Sequence, residues 1–282
     1  MSKINSIAEV LREASRTLEN AGVPEARREA GSLLSFVIGK DRTFLISHSD
    51  DEVSDVDQFC ELVERRAAGE PLQYITGTQD FFDREFRVTH DVLIPRPETE
   101  LLVEAALEVN KTRMTLICDV GTGSGCIAVT LLCELDHARA VALDKSPAAL
   151  EIAKFNANKL AVADRAEFIV SDCFDSLDHR EFDLIVSNPP YVSASVLDGL
   201  QREVRDHEPL IALSPGPDGL SIIRRLLQES PRFLKQNGHL IMEIGFDQGE
   251  AVRSLIDTNV WELLEVRPDL QCIPRIVVLR KR

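Results

Sequence analysis

The sequence has no C-x-x-C pair, no long run of lysine or arginine, and no apolar stretch approaching the roughly 20 residues of a membrane span. Its six cysteines (Cys60, Cys118, Cys126, Cys133, Cys173 and Cys272) are scattered singly, which excludes a zinc knuckle and a secreted disulfide framework. They read as small buried hydrophobes in a reducing compartment. His90, His137, His179, His207 and His239 are not spaced as metal ligands, so no metal is expected. Acidic residues outnumber basic ones 47 to 32, and the formal net charge of −15 repels a phosphate backbone unless the cations are sharply clustered. Direct nucleic-acid binding is therefore not expected. The opening segment MSKINSIAEVLREASRTLENAG mixes charges among its apolar residues and lacks the apolar core of a signal peptide. That points to a cytoplasmic protein without membrane association.

What is present suffices to build a large domain and a smaller one, since 44% of the 282 residues are hydrophobic. From Ile4 to about Gly69 the apolar spacing is helical: Ile7, Val10, Leu11, Ala14 and Leu18; Ala30, Leu33, Leu34 and Val37; Phe59, Leu62, Val63 and Arg66. Gly22 and Gly39 fall where helices stop, and Pro24 suits the opening of the second helix. Residues 1–70 are expected to form a small all-α domain. Between Pro71 and Pro97 the period drops to two in FDREFRVTHDVLI, which predicts a β-hairpin or extended arm over 71–97.

Residues 98–282 alternate strand-like runs with helical segments: TLICDV, AVALD, AEFIVSD, FDLIVSN and HLIMEIG, then two late runs, WELLEV and PRIVVLRK. This alternation predicts an α/β fold with a doubly wound parallel sheet. The last two runs lie too close together for a parallel crossover and should pair antiparallel. Seven strands with an antiparallel last one describe the Rossmann-like sheet of methyltransferases.

TLICDV runs directly into Gly121-Thr122-Gly123-Ser124-Gly125 and then into a helix without internal Gly or Pro. A sharp strand-to-helix turn needs residues that tolerate positive φ, and a ligand approaching the backbone needs positions without a Cβ. Asp144 closes the second strand about twenty residues on, where open α/β sheets present a carboxylate to ribose hydroxyls. Its alternative reading is a cap for the helix near Ser146, although Ser146 carries its own hydroxyl. Asp119 precedes the glycines and can hold the loop or reach the cationic end of a cofactor. Asp172 and Cys173 follow the third strand, where an adenine edge would lie.

The fourth strand ends in Asn188-Pro189-Pro190-Tyr191, at the carboxyl edge where ligands of open sheets bind. Asn188 falls at the junction of cofactor and acceptor and offers a side-chain oxygen. Pro189 has no N–H, so its carbonyl can serve as a second acceptor while the ring fixes φ. Two preplaced acceptors suit a planar amide or amine nitrogen, whose delocalised lone pair makes it a poor nucleophile. Tyr191 offers a flat stacking face. The same four residues also make an ordinary turn at a strand end. Glu243, at the end of the fifth strand, either reaches the site or is a solvated strand-end carboxylate.

With Leu93-Ile94-Pro95-Arg96-Pro97-Glu98-Thr99-Glu100, DVGTGSGCIAV, Asn188 to Tyr191 and the helical N-terminal region, the chain resembles the peptide chain release factor glutamine methyltransferases, the HemK or PrmC family, over nearly its full length. The resemblance implies S-adenosylmethionine as methyl donor, S-adenosylhomocysteine as product, and the Gly-Gly-Gln glutamine of class I release factors as acceptor. It also implies that Gly121 to Gly125, Asp144 and Cys173 hold the cofactor, that Asn188 to Tyr191 form the glutamine pocket, that Arg96 and Glu98 line that pocket or face the other domain, and that the helices of residues 1–70 help dock the release factor. Phe81-Phe82-Asp83 departs from the family's usual aromatic-glycine pair. Two competing readings remain: an adenine-specific nucleic-acid methyltransferase, which should carry a basic recognition domain, and a non-catalytic adenosyl-ligand-binding adaptor.

Overall fold

In the computed structural model the described residues are 6–109 and 115–282, so Ile4 lies outside them. The chain divides into two compact units, residues 1–77 with 201–207, and residues 78–200 with 208–282. The hairpin therefore belongs to the second unit, and a seven-residue segment from beyond Tyr191 belongs to the first.

The first unit is helical: Ile7–Asn20, Ala26–Ile38, Arg42–Ser47, Val56–Ala67 and Leu72–Thr76, with Arg202–His207. The helical stripes converge on one core, where Ile7, Val10, Ala14 and Leu18 meet Ala30, Leu33, Leu34, Phe59, Leu62 and Val63. Arg42–Ser47 and Leu72–Thr76 are too short to show a period. Gly39 ends its helix in the left-handed conformation. Pro24 stands two residues before the first helical residue, Ala26, because Glu25 takes the N-cap position.

The second unit opens with an antiparallel hairpin, β1 (Thr78–Phe81) and β2 (Arg84–Arg87). Its two-residue turn has positive φ at both Phe82 and Asp83, a geometry that normally selects Asn-Gly. Here Glu100 accepts from the Phe82 N–H at 2.8 Å and Arg84 donates to its carbonyl at 2.8 Å. A seven-stranded sheet follows: β3 (Leu116–Val120), β4 (Arg139–Asp144), β5 (Ala166–Val170), β6 (Phe182–Ser187), β7 (Leu234–Glu243), β8 (Trp261–Pro268) and β9 (Pro274–Lys281). The spatial order is β5-β4-β3-β6-β7-β9-β8. β3 to β7 pair in parallel, while β9 runs antiparallel to both its neighbours.

The central strands β3, β4, β6, the end of β7 and the middle of β9 are buried on both faces and read as continuous apolar runs, while the edge strands β5 and β8 stay partly exposed. Ile117, Leu184, Val186 and Ile241 pack on one face, and Cys118, Val120, Ile185, Leu240 and Met242 on the other. Cys118, Cys126 and Cys173 are buried as expected, but Cys60 and Cys272 are exposed. Cys60 sits on the polar side of its helix and Cys272 in the turn before β9. No helix among the described residues is long and apolar enough to cross a membrane.

Candidate active site

The strand order reverses between β3 and β6, and there the carboxyl ends of the parallel strands surround a cleft of about 470 Å³. The turn after β3 is pinned to the end of β4: Gly121 and Thr122 donate their N–H groups to the Leu143 carbonyl at 2.8 and 2.9 Å. Gly121, Gly123 and Gly125 all have positive φ. A Cβ at Gly121 or Gly123 would meet open space, whereas one at Gly125 would stand 3.1 Å from the Ala153 Cβ. The first two glycines leave room for a ligand, and the third lets helix Cys126–Glu134 pack against helix Pro147–Lys159. Asn156, fully buried on the latter helix, donates to the Ser124 and Arg87 carbonyls and accepts from the Arg87 N–H.

Asp144 lines the cleft and accepts from the Gly123 N–H at 2.8 Å and the Ser146 N–H at 2.9 Å. Ser146, not Asp144, caps the following helix. Burial raises the Asp144 carboxyl above its ordinary range. Asp119 is fully buried beside the cleft; it accepts from the Thr122 hydroxyl at 2.6 Å and the Ala128 N–H at 3.2 Å. Burial pushes this carboxyl up to about 7, against those two bonds. Asp172 and Cys173 both line the cleft, Cys173 with a φ of 49°. The Lys145 ammonium and the Arg225 guanidinium each stand 2.7 Å from an Asp172 oxygen and hold its carboxyl below the ordinary range.

Asn188, Pro189 and Pro190 form the opposite wall. Ser187 donates its hydroxyl to the Val120 carbonyl at 2.7 Å, which ties the end of β6 to the start of the glycine turn. The amide nitrogen of Asn188 donates to the Thr99 hydroxyl at 3.0 Å, and Thr99 donates to Glu243 at 2.6 Å. Glu243 is 1% exposed, so it is no solvated strand end; burial pushes its carboxyl up to about 7. Gln248 clamps the loop from behind. Its Nε2 donates to the carbonyls of Tyr191 and Gly219, and its Oε1 accepts from the Gly245 N–H. Gly219 has a φ of 70°, and a Cβ there would lie 2.3 Å from the Tyr191 carbonyl oxygen.

Arg96 lines the cleft and pairs with the buried Glu208 at 2.6 Å. Glu98 and Tyr191 stand outside the lining. Glu98 lies in the 3₁₀ turn Pro97–Thr99, while the Tyr191 hydroxyl is turned toward Glu243, 3.4 Å away. Sequence reasoning missed Lys145, Asn156, Arg225 and Gln248. Only Lys145 carried a signal, as the neighbour of Asp144.

The residues fit an adenosyl ligand: the two glycines present an open face, the carboxylate sits at the second strand end, and the volume suits a nucleoside-sized molecule. A sheet of this order with an antiparallel last strand, carrying this glycine turn and an acidic strand end, defines an S-adenosylmethionine-dependent methyltransferase. The fold is similar to that of the hMettl16 catalytic domain bound to a MAT2A 3'UTR hairpin (TM-score 0.56, 15% identity, 78% of this chain and 81% of that one). It is also similar to a methyltransferase from Pyrococcus furiosus (TM-score 0.53, 13% identity, 71% and 90%).

Residues 9–77 match the family described as the PrmC N-terminal domain, and residues 97–203 match the methyltransferase small domain. The chain is 44% identical to the release factor glutamine methyltransferase of Koribacter versatilis over 95% of this chain and 96% of that protein. It is 43% identical to the one from Nitratidesulfovibrio vulgaris over 96% and 94%. It is also 39% identical to a bifunctional methyltransferase of Rickettsia felis, of whose length it spans 58%. The chain belongs to the release factor glutamine methyltransferase family.

Proposed function

We propose that this enzyme acts in the cytoplasm and transfers the methyl group of S-adenosylmethionine to the side-chain amide nitrogen of the glutamine in the Gly-Gly-Gln motif of class I peptide chain release factors. The observation that carries this reading is the Asn188 amide. Its nitrogen is committed to Thr99, which leaves its oxygen to the cleft that Asn188 lines. A primary amide has two N–H groups, and the Asn188 oxygen with the Pro189 carbonyl can accept one each. These acceptors raise electron density on the nitrogen as it leaves planarity, take up the charge that develops there, and can pass its displaced proton to water.

Bound S-adenosylmethionine supplies an electrophilic methyl on a sulfonium. Asp144 is assigned to the ribose hydroxyls, and Asp172 with Cys173 to the adenine edge, where an amino group would share Asp172 with Lys145 and Arg225. The turn Gly121–Gly125 carries the cofactor's amino-acid end, and Asp119 holds that turn through Thr122 and Ala128. Arg96 borders the acceptor, with Glu98 behind it. Tyr191 supports the loop from the Glu243 side.

The helical unit is assigned to docking the release factor. Between helices Ile7–Asn20 and Val56–Ala67 it carries a groove of about 490 Å³ whose apolar floor includes Val10, Phe59 and Val63, rimmed by Glu9, Glu13, Asp57 and Glu64. Such a surface suits a basic segment of a protein partner.

The test is methyl transfer from labelled S-adenosylmethionine to a purified class I release factor, to the same factor with its Gly-Gly-Gln glutamine replaced by alanine, and to duplex DNA. Label on the intact factor alone is the expected result. Label on DNA instead transfers the acceptor geometry to adenine, and no label anywhere leaves a binding protein as the better account.

A further inference from the structure

Thr99 and Glu243 are 144 residues apart in the chain and meet in the interior, each 1% exposed. Nothing in the proposed methyl transfer requires a buried carboxylate at the end of β7. Its position is informative through the atoms it touches: one oxygen is 2.6 Å from the Thr99 hydroxyl and the other 3.4 Å from the Tyr191 hydroxyl. The Thr99 oxygen is in turn 3.0 Å from the Asn188 amide nitrogen.

We propose that Glu243 and Thr99 are positioning residues that set which end of the Asn188 amide faces the acceptor. An amide can rotate by half a turn with little change of shape, and the two orientations have opposite consequences. With its oxygen in the cleft Asn188 accepts from the substrate N–H; with its nitrogen there it confronts that N–H with another donor. The ionised carboxylate only accepts, so the single Thr99 proton goes to Glu243 and the Thr99 lone pairs face Asn188. A lone pair can bind only the nitrogen end of the amide, which leaves the oxygen end to the cleft. Tyr191 donates to the second oxygen and holds the carboxylate in place.

The device has a pH signature. Burial pushes the Glu243 carboxyl up to about 7. The charged and titratable groups acting on it or near it are Tyr191, Glu98, Arg275 and Cys126. Above that pH Glu243 is an acceptor and the amide is fixed. Below it the protonated carboxyl can donate to Thr99, whose own proton then turns to Asn188 and favours the reversed amide. The turnover number is therefore expected to fall as pH drops through about 7, and this acid limb should flatten in Glu243→Gln.

The inference rests on the amide-nitrogen reading of the acceptor, and the experiment keeps the two apart. In protein labelled at asparagine, the Asn188 side-chain N–H resonances are followed in wild type, Thr99→Val, Thr99→Ser and Glu243→Gln. That readout needs no turnover. Thr99→Val, of equal shape but without a hydroxyl, is expected to move them, and Thr99→Ser to restore them. In methyl transfer Thr99→Val should lower kcat about 10- to 100-fold, the range for loss of a neutral-to-charged hydrogen-bond network, with cofactor Kd within about twofold. Combined with Asn188→Ala, Thr99→Val should cost nothing further. Unmoved resonances, or an equal cost of Thr99→Val with and without Asn188, would overturn the proposal. Wild-type failure on the release factor with shifted resonances would sink the acceptor assignment alone.

Discussion

Replacing Asn188 with alanine is expected to lower kcat about 10²- to 10³-fold, the cost typical of removing one preorganised group aimed at transition-state charge. The argument is one of differential binding. The planar ground-state amide is already stabilised by its own delocalisation, and water can serve its N–H groups as well as Asn188 does. As the nitrogen becomes pyramidal and attacks, its N–H groups become stronger donors, and a fixed oxygen gains where a mobile water must reorganise. The loss should thus appear in kcat rather than KM. Cofactor affinity should stay within about twofold, because the groups assigned to the adenosyl moiety lie on the turn after β3 and at the ends of β4 and β5. Isothermal titration with S-adenosylhomocysteine beside single-turnover methylation separates the two. An equal loss of affinity and turnover would make Asn188 a cofactor ligand first. Residual activity would come from the Pro189 carbonyl and from proximity.

The parts of this site that were legible in the sequence are those written as contiguous runs. A strand with both faces buried, a glycine turn that must take positive φ, and a carboxylate ending the next strand all follow from local rules, and Gly121 to Ser124, Asp144 and Asn188 to Pro190 line one cleft. What was not legible is long-range. Arg225 reaches Asp172 across 53 residues and Gln248 reaches Tyr191 across 57, and no period links either pair. Glu243 was ambiguous because a strand end can point to water or to protein, and only the sheet order puts it against Thr99. The short helices between Ala194 and Leu213 are too brief to show a stripe. The left-handed conformations of Glu25, Phe82 and Cys173 occur at residue types that local rules assign elsewhere. The loop after Tyr191 was the least legible stretch, because its middle folds with a unit that begins at the other end of the chain.

That middle depends on Arg66, and Arg66→Met is expected to destabilise the helical unit by about 3 kcal/mol, near the lower end for breaking a buried ion pair by removing one partner. Arg66 is 2% exposed. Its Nε and Nη2 donate to Glu29, Nη2 also donates to Glu203 at 2.5 Å, and Nη1 donates to the Glu70 carbonyl at 3.1 Å. Methionine keeps most of the stem's packing, so the loss is one of charge and hydrogen bonds. Two carboxylates then face each other without a cation. Glu29 is 19% and Glu203 33% exposed, so both can recover some hydration, which places the cost toward the lower end of the range. Glu203→Gln should cost much less, because Arg66 keeps its contact with Glu29. Calorimetry should show the transition of the helical unit falling by more than about 10 °C, since a unit of this size loses several degrees per kcal/mol. Amide exchange should accelerate over Arg202–His207, which Glu203 ties to Arg66, while β3 to β7 stay protected. A melting shift within about 1 °C of wild type would mean the triad is replaceable by water and contributes little, as exposed pairs do.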